Sequence, residues 1–242
     1  MPDSIARSIR DSYDRVAAEY ARHIYGELQH KPFDRALLTR FAAATLDRGE
    51  ICDMGCGPGH IARFLRDTGA TVFGLDLSPR MIEQARQLNP DISFREGDMT
   101  ALDLADESLV GITAFYAIVN IPATSLPVVF REMARVLKSG GLLLLAFHIG
   151  DEVLQPTDLW EQPIAMSFFF FQPSAIRLQL ETCGFKIEEI FERGPYAPEV
   201  EHQSRRAYIL ARKPAPAASV ASLALTRENA RSDSTSAPHP QS

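Results

Sequence analysis

The chain predicts an α/β fold: a doubly wound parallel sheet with helices on both faces. Three observations carry this. Between residues 50 and 148, short apolar runs alternate with amphipathic stretches, the βαβα rhythm of a sheet built from crossover connections. Leu109–Tyr116 and Leu142–His148 are almost wholly apolar, as expected of strands covered on both sides. The first strand of the series runs into a turn with glycine at 55, 57 and 59, directly before a helix pattern.

The elements follow in order. Residues 5–24 form an amphipathic helix, with Ile5, Ile9, Tyr13, Val16 and Tyr20 on one side. A second helix covers Phe33 to Leu46, with Phe33, Leu37, Leu38 and Phe41 at helical spacing. Strand 50–54 leads through the glycine turn into a helix carrying Ile61, Phe64 and Leu65. Strand Thr71–Leu75 ends at Asp76, and Ser78-Pro79 opens the next helix as N-cap and first helical residue. Strand Ile92–Arg95 precedes Gly97-Asp98-Met99, and the strand Leu109–Tyr116 follows. A helix from Ser125 to Lys138, closed by Gly140-Gly141, leads to the strand Leu142–His148. Residues 149–163 read as a polar, proline-containing loop, followed by four consecutive phenylalanines, 168 to 171. A helix from Pro173 to Cys183 and two strands, Phe185–Arg193 and Arg205–Arg212, complete the pattern. From Lys213 the chain is rich in Ala, Ser and Pro without an aromatic residue, a composition that buries no core and predicts disorder over 213–242.

Composition narrows the function. At 242 residues, the chain accommodates one sizeable α/β domain with additions. A net charge of −6 argues against a partner held by a basic surface, nucleic acid above all. Cys52, Cys56 and Cys183 form no CxxC pair and no metal-ligand cluster, so no metal is expected. No apolar run reaches the roughly 20 residues of a membrane span, and the N-terminus is polar. The expectation is a cytoplasmic protein without a membrane partner.

The glycine turn carries the chemistry. Glycine lets a ligand lie against the backbone, and the helix start offers free N–H groups to a polar or anionic group. A phosphate-binding loop needs GxxxxGK, which is absent. The dinucleotide pattern GxGxxG puts His60 at its third glycine when read from Gly55; the register from Gly57 reaches Ala62 but lies late relative to the strand. The spacing that fits is Asp53-x-Gly55-x-Gly57-x-Gly59.

Asp53-Met54-Gly55-Cys56-Gly57-Pro58-Gly59 resembles the first motif of class I S-adenosylmethionine-dependent methyltransferases. Gly74 to Met81 resembles their second-strand motif, Glu96-Gly97-Asp98-Met99 their adenine-binding turn, and Arg135 to Gly141 the approach to their fifth strand, with Ser139 where proline is usual. The resemblance covers residues 10 to 212 and is closest to the small-molecule, type 11 branch. It implies a Rossmann-like doubly wound seven-stranded sheet, mostly parallel with an antiparallel last strand, plus N-terminal helices. It also implies helices over 1–46 covering a cofactor site, and a methyltransferase domain over 47–212 with a substrate-side insertion near 149–172.

The resemblance implies S-adenosylmethionine as cofactor and assigns roles by position. Asp76 accepts from the ribose hydroxyls and Leu77 adjoins it; the plain reading of Asp76 is a helix cap, which Ser78 already supplies. Asp98 and the Met99 backbone meet the adenine, unless Asp98 is a solvated turn residue. Met81 lies on the adenine face or in the core. Gly55, Cys56, Gly57 and Gly59 form the methionine-side turn, and Asp53 orients it, directly or through water to the cofactor's amino group. Tyr13 and Tyr20 shield the sulfonium or simply pack along the helix. Tyr116 closes the fourth strand beside the cofactor. On the acceptor side, His148 reads as a general base, because imidazole titrates near neutrality, or as a strand-end histidine bonded to a loop. Asn120 stands where relatives often carry histidine. Phe168 to Phe171 alternate faces, one pair toward the core and the other toward a substrate pocket or subunit contact, with Trp160 nearby. Arg193, Glu201 and His202 read as surface ion pairs or as a clamp on a polar substrate group. The expected partner is a small-molecule acceptor, the assembly a monomer or homodimer. An NAD-type oxidoreductase and a non-catalytic cofactor-binding protein are the competing classes.

Overall fold

The computed structural model describes residues 2–215; the expected disordered tail lies, beyond residue 215, outside the described residues. Six helices and a seven-stranded sheet make up the frame. The strands are β1 (Glu50–Met54), β2 (Thr71–Asp76), β3 (Ser93–Glu96), β4 (Leu109–Phe115), β5 (Leu137–His148), β6 (Lys186–Arg193) and β7 (Arg206–Arg212). The helices are α1 (Asp3–Ile24), α2 (Pro32–Thr45), α3 (His60–Asp67), α4 (Pro79–Leu88), α5 (Leu126–Val136) and α6 (Pro173–Thr182). The order across the sheet is β6-β7-β5-β4-β1-β2-β3. Strands β1 to β5 pair in parallel, whereas β7 runs antiparallel to both β5 and β6. The strand order reverses between β1 and β4, so their carboxyl ends open a crevice where such sheets take ligands.

Each sheet face has its own core. Val129, Phe130 and Met133 of α5 and Ile176 and Leu180 of α6 cover one face. Leu38 and Phe41 of α2, Leu65 of α3 and Ile82 of α4 cover the other. This two-sided cover is why β4 and β5 are apolar at almost every position. Close helix and strand packing leaves no room at Gly74 in the middle of β2. A Cβ there would lie 2.5 Å from the Phe94 ring and 2.8 Å from Cys56 Sγ.

Two local expectations change, and the alternation of the phenylalanine run holds. Helix α5 stops at Val136, and Gly140-Gly141 forms a corner inside β5 instead of a helix cap. The corner is held from outside: Gly140 N–H donates to the Lys213 carbonyl, and Lys213 N–H to the Gly141 carbonyl. Residues 149–163 are more ordered than a loop. Val153–Leu154 pairs with Phe168–Phe169, and Asp158–Leu159 with Gln162–Pro163. The phenylalanine run splits by face. Phe169 and Phe171 stack on each other against the core beside Phe147, while Phe168 and Phe170 face a cavity.

Helix α1 crosses the carboxyl end of the sheet. Its side chains bond to three segments that are far apart in sequence. Asp14 accepts from Ser78 Oγ at 2.6 Å, Tyr13 donates to Asn120 Oδ1 at 2.7 Å, and Ser12 accepts from Ala165 N–H at 3.0 Å. Ser78 also accepts from Met81 N–H, completing the helix cap.

Gly74→Ala is expected to lower stability by about 1–3 kcal/mol, because an added methyl overfills a closed space. Urea denaturation reads this directly, and an unchanged midpoint would contradict the packing described.

Candidate active site

The glycine turn is fixed by β2. Gly55 and Cys56 N–H groups both donate to the Leu75 carbonyl, at 2.7 and 3.0 Å. Gly57 N–H donates to Asp76 Oδ2 at 2.9 Å. Gly55, Gly57 and Gly59 all have positive φ, +69°, +51° and +83°, the left-handed region where glycine is not strained. A Cβ on Gly55 would also collide with Ala117 at 2.5 Å, and one on Gly59 with the Phe94 ring at 2.7 Å. Both conformation and space therefore demand glycine.

Beside the turn lies an inner cavity of about 480 Å³, lined by Tyr13, Gly55, Asp76, Leu77, Asp98 and Met99 among others. Asp76 is half-buried and forms no ion pair among the described residues. Burial raises its pKa, and the N–H groups of Ser78 and Gly57 pull the other way. Each carboxylate oxygen takes one of these backbone bonds and keeps a further lone pair. Two acceptor positions thus remain for a diol. Asp98 uses one oxygen to accept from Thr100 N–H and Oγ1; its other oxygen makes no hydrogen bond among the described residues. Apolar groups at Ile9, Leu75, Leu77 and Ile121 supply flat walls between these acids. An adenosyl group fits this arrangement of diol acceptor, turn backbone and apolar wall.

A middle cavity of about 730 Å³ shares Tyr13 with the inner one and adds Tyr20, Glu27, Lys31, Tyr116 and Arg206. The Tyr20 ring stands 3.5 Å from where a Gly57 Cβ would be, so helix α1 closes directly on the turn. Tyr116, at φ +54° after β4, also lines this space. Its hydroxyl is buried without a hydrogen bond among the described residues, and burial raises its pKa. An outer cavity of about 1010 Å³ continues from it through His148, Phe168 and His202, with Leu154, Leu159 and Phe170 as apolar walls.

Several expected site residues lie elsewhere. Asp53 lines none of these three cavities. It is 1% exposed and accepts from Ala62 N–H at 3.1 Å and Thr113 Oγ1 at 2.9 Å. Burial pushes its pKa up to about 6, against the pull of His60 and these hydrogen bonds. It ties β1 to β4 and α3 from below the turn, so direct contact with a ligand in these cavities is not part of its geometry. Met81 is buried against Val16 and Ala17 of α1, the core alternative. Cys56 Sγ fills the space over Gly74, and Gly59 backs onto Phe94 and Asn89; neither lines these cavities.

Arg193 and Glu201, read as surface ion pairs or as a clamp on a polar substrate group, sit in a largely buried ion network. Arg193 donates to Glu201 at 2.5 and 3.1 Å and to Asp34 at 2.9 Å. Tyr208 donates to Asp34 at 3.0 Å. Lys31 lies 2.7 Å from Glu27 and 3.6 Å from Glu201. Arg206 Nε lies 3.1 Å from Glu201, off the line of a hydrogen bond. His60 Nε2 is 3.2 Å from Glu27. Burial would raise the Glu27 pKa, but His60 and Lys31 outweigh it and hold it at about 2. The sequence reading passed over Glu27, Lys31, Asp34, Arg206 and Tyr208. One signal was available: Asp34 falls on the same helical stripe as Leu37, Leu38 and Phe41, and a charge on an apolar stripe needs a buried partner.

His148 Nδ1 is 2.7 Å from Ser204 Oγ, the loop-bonded alternative. Burial pushes its pKa down to about 3, and Arg206, His202 and Lys31 add to this against Glu201. The premise of a near-neutral base is therefore not met. In the unfolded chain this imidazole takes up a proton below about 6.5. The unfolded state then binds more protons between pH 6.5 and 3, so stability falls as the pH drops through that window. At pH 5 the loss is about 2 kcal/mol. His148→Gln is expected to remove this contribution. Denaturation at pH 7 and pH 5 checks it: wild type loses about 2 kcal/mol more than the variant, and equal losses would refute it.

Residues 51–141, from β1 to the corner of β5, match the family model described as a methyltransferase domain. The chain is 31% identical over 172 residues to a malonyl-(acyl-carrier protein) O-methyltransferase of Enterobacter lignolyticus, covering 69% of this chain and 66% of that one. It is 32% identical over 149 residues to a demethylmenaquinone methyltransferase of Renibacterium salmoninarum, covering 60% and 59%. The chain thus spans two thirds or less of the length of these two curated relatives. A solved magnesium protoporphyrin IX methyltransferase from Synechocystis PCC 6803, with bound S-adenosylmethionine, has the same fold, with TM-score 0.66 and 18% identity over 86% of this chain and 97% of that one. Sheet order, glycine turn and matched domain together put this chain in the class I S-adenosylmethionine-dependent methyltransferase family.

Proposed function

We propose that the protein transfers a methyl group from S-adenosylmethionine to a small-molecule acceptor, leaving S-adenosylhomocysteine. The observation that carries this reading is the inner cavity, where Asp76 offers two open acceptor positions beside a turn that only glycine can form. Asp76 would take the ribose hydroxyls, and Asp98 with the Met99 backbone the adenine. Tyr13 and Tyr20 would cover the methionine side, with Gly55 and Gly57 beneath it. When bound, the cofactor supplies an electrophilic methyl on a sulfonium, a leaving group already activated. The chain's own work is then to align the acceptor and exclude water. Helix α1 serves both ends, because Tyr13 lines the inner and the middle cavity and is fixed by Asn120. The relatives named for malonyl-(acyl-carrier protein) and for demethylmenaquinone support methyl transfer without choosing an acceptor.

Among the described residues no helix is long and apolar enough to cross a membrane.

Calorimetric titration with S-adenosylhomocysteine tests the proposal. Wild type should bind it, and Asp76→Ala should bind at least about 30-fold more weakly, about 2 kcal/mol for lost charge-assisted hydrogen bonds. Absence of binding, or equal affinity in both proteins, would sink it.

A further inference from the structure

The middle and outer cavities together describe an acceptor. We infer that the acceptor is an amphipathic anion: its apolar body lies between Leu154, Leu159, Phe168 and Phe170, and its ionised oxygen faces His148 and Arg206. This inference rests on the methyl-transfer reading and adds the substrate class to it.

The apolar half follows from the outer cavity. It is the largest of the three and is walled by aliphatic and aromatic side chains of the insertion. Its two histidines, His148 and His202, stand at the junction with the middle cavity and line both, while Gln155 is the polar residue on the insertion side. His148 stacks on Phe170 at 5.0 Å between ring centres, which sets the imidazole as the boundary between the two environments. A long or aromatic apolar body in the outer cavity would therefore present its polar end here.

The charge of that end follows from the groups around the junction. The charged and titratable groups facing it are Lys31, Arg206, His202, Glu27, Glu201 and Tyr116. Glu201 is shared by Arg193, Arg206 and Lys31, and Glu27 by Lys31 and His60. Arg206 is almost fully buried. It donates Nη1 to the Ser204 carbonyl at 2.6 Å and Nη2 to the His202 carbonyl at 2.8 Å. Its fork has five N–H groups, so donors remain, and the Nε–H has no hydrogen bond among the described residues. Burial does most to disfavour a charged His148, and Arg206, His202 and Lys31 act in the same direction against Glu201. The junction thus holds two permanent cations, Lys31 and Arg206, with guanidinium donors left unused.

The burial of His148 also bears on how the acceptor is activated. An imidazole that resists protonation is a poor acceptor for the proton of an alcohol. An oxygen that arrives ionised needs no base. Its lone pair forms the O–C bond to the methyl group while the S–C bond breaks, its electron pair staying on sulfur. Anion and sulfonium become two neutral products, and no proton is transferred. A carboxylate meets this requirement at neutral pH.

Decanoate, decanol and decylammonium, which share one apolar chain, test the inference by calorimetric titration of the full chain. Decanoate should bind at least tenfold more tightly than the other two. Phe170→Asp should weaken decanoate at least tenfold, and Arg206→Gln should bring decanoate and decanol together. The wild-type ranking decides even if Arg206→Gln does not fold: equal binding, tighter binding of decanol or decylammonium, or no binding by any of the three overturns the inference. Titration with S-adenosylhomocysteine in the same preparation reads the inner cavity alone. Its failure would remove the methyl-transfer reading and leave the decanoate ranking as a separate result.

Discussion

The end of β2 governs the donor half of the site. Three successive N–H groups, at 55, 56 and 57, turn back onto the Leu75 carbonyl and the Asp76 carboxylate. That single anchorage forces the left-handed conformations at Gly55 and Gly57 and brings the turn under Tyr20. It also explains the small residues nearby. The chain passes so close to itself that Ala117 and Phe94 occupy the places where side chains on Gly55 and Gly59 would stand. Asp53 secures the same turn from below, through Thr113 and Ala62. The two acids that flank the turn in sequence therefore divide the work: Asp53 is consumed by the scaffold, while Asp76 keeps acceptor positions open.

The acceptor half is built on a different principle. Lys31 and Asp34 come from the start of α2, Arg193 from the end of β6, and Glu201 and Arg206 from the connection into β7. Among the described residues no backbone ladder joins these segments to one another at this point except the β6–β7 pair, so the buried ions tie the start of α2 to the far edge of the sheet. Such networks add little net stability over an apolar core, but removing one member costs about 3–5 kcal/mol because its partner is left charged and buried. The arrangement is thus a device of geometry more than of stability. It ties the start of α2, through Lys31 and Asp34, to β6 and to the entry of β7.

The contrast explains what the sequence made legible. The donor half depends on local rules: a glycine at every second position, an acid at a strand end, Ser78-Pro79 at a helix start. Such patterns are contiguous and can be read in one pass. The sheet was equally readable, because two-sided burial leaves Leu109–Phe115 and Leu142–Phe147 almost wholly apolar. The corner at Gly140-Gly141 was misread as a helix cap because its partner, Lys213, is remote in sequence. The network was missed for the same reason. Arg193 and Asp34 are separated by 159 positions, and charges near a turn ordinarily signify a solvated surface. Only Asp34, on the apolar stripe of α2, carried a local sign of burial. The fate of Met81 and Asp53 was open at the level of sequence, since a small shift in the angle of α1 or of the turn would decide whether each faced a cavity.

The placement of charge within the network connects these two halves. Lys31, Arg193 and Arg206 stand against Glu27, Asp34 and Glu201, so the buried group is balanced as a whole. It is not balanced at every point. Asp34 is turned to Arg193 and Tyr208, and Glu27 to His60 and Lys31, so that among the described residues Arg206 pairs with Glu201 alone. Burial does most to hold His148 below the ordinary imidazole range, and Arg206, His202 and Lys31 act in the same direction against Glu201. The network thereby also places two cations, Lys31 and Arg206, beside the place where the middle and outer cavities meet. The histidine at that junction is kept neutral by this setting, next to a guanidinium whose Nε–H makes no hydrogen bond among the described residues.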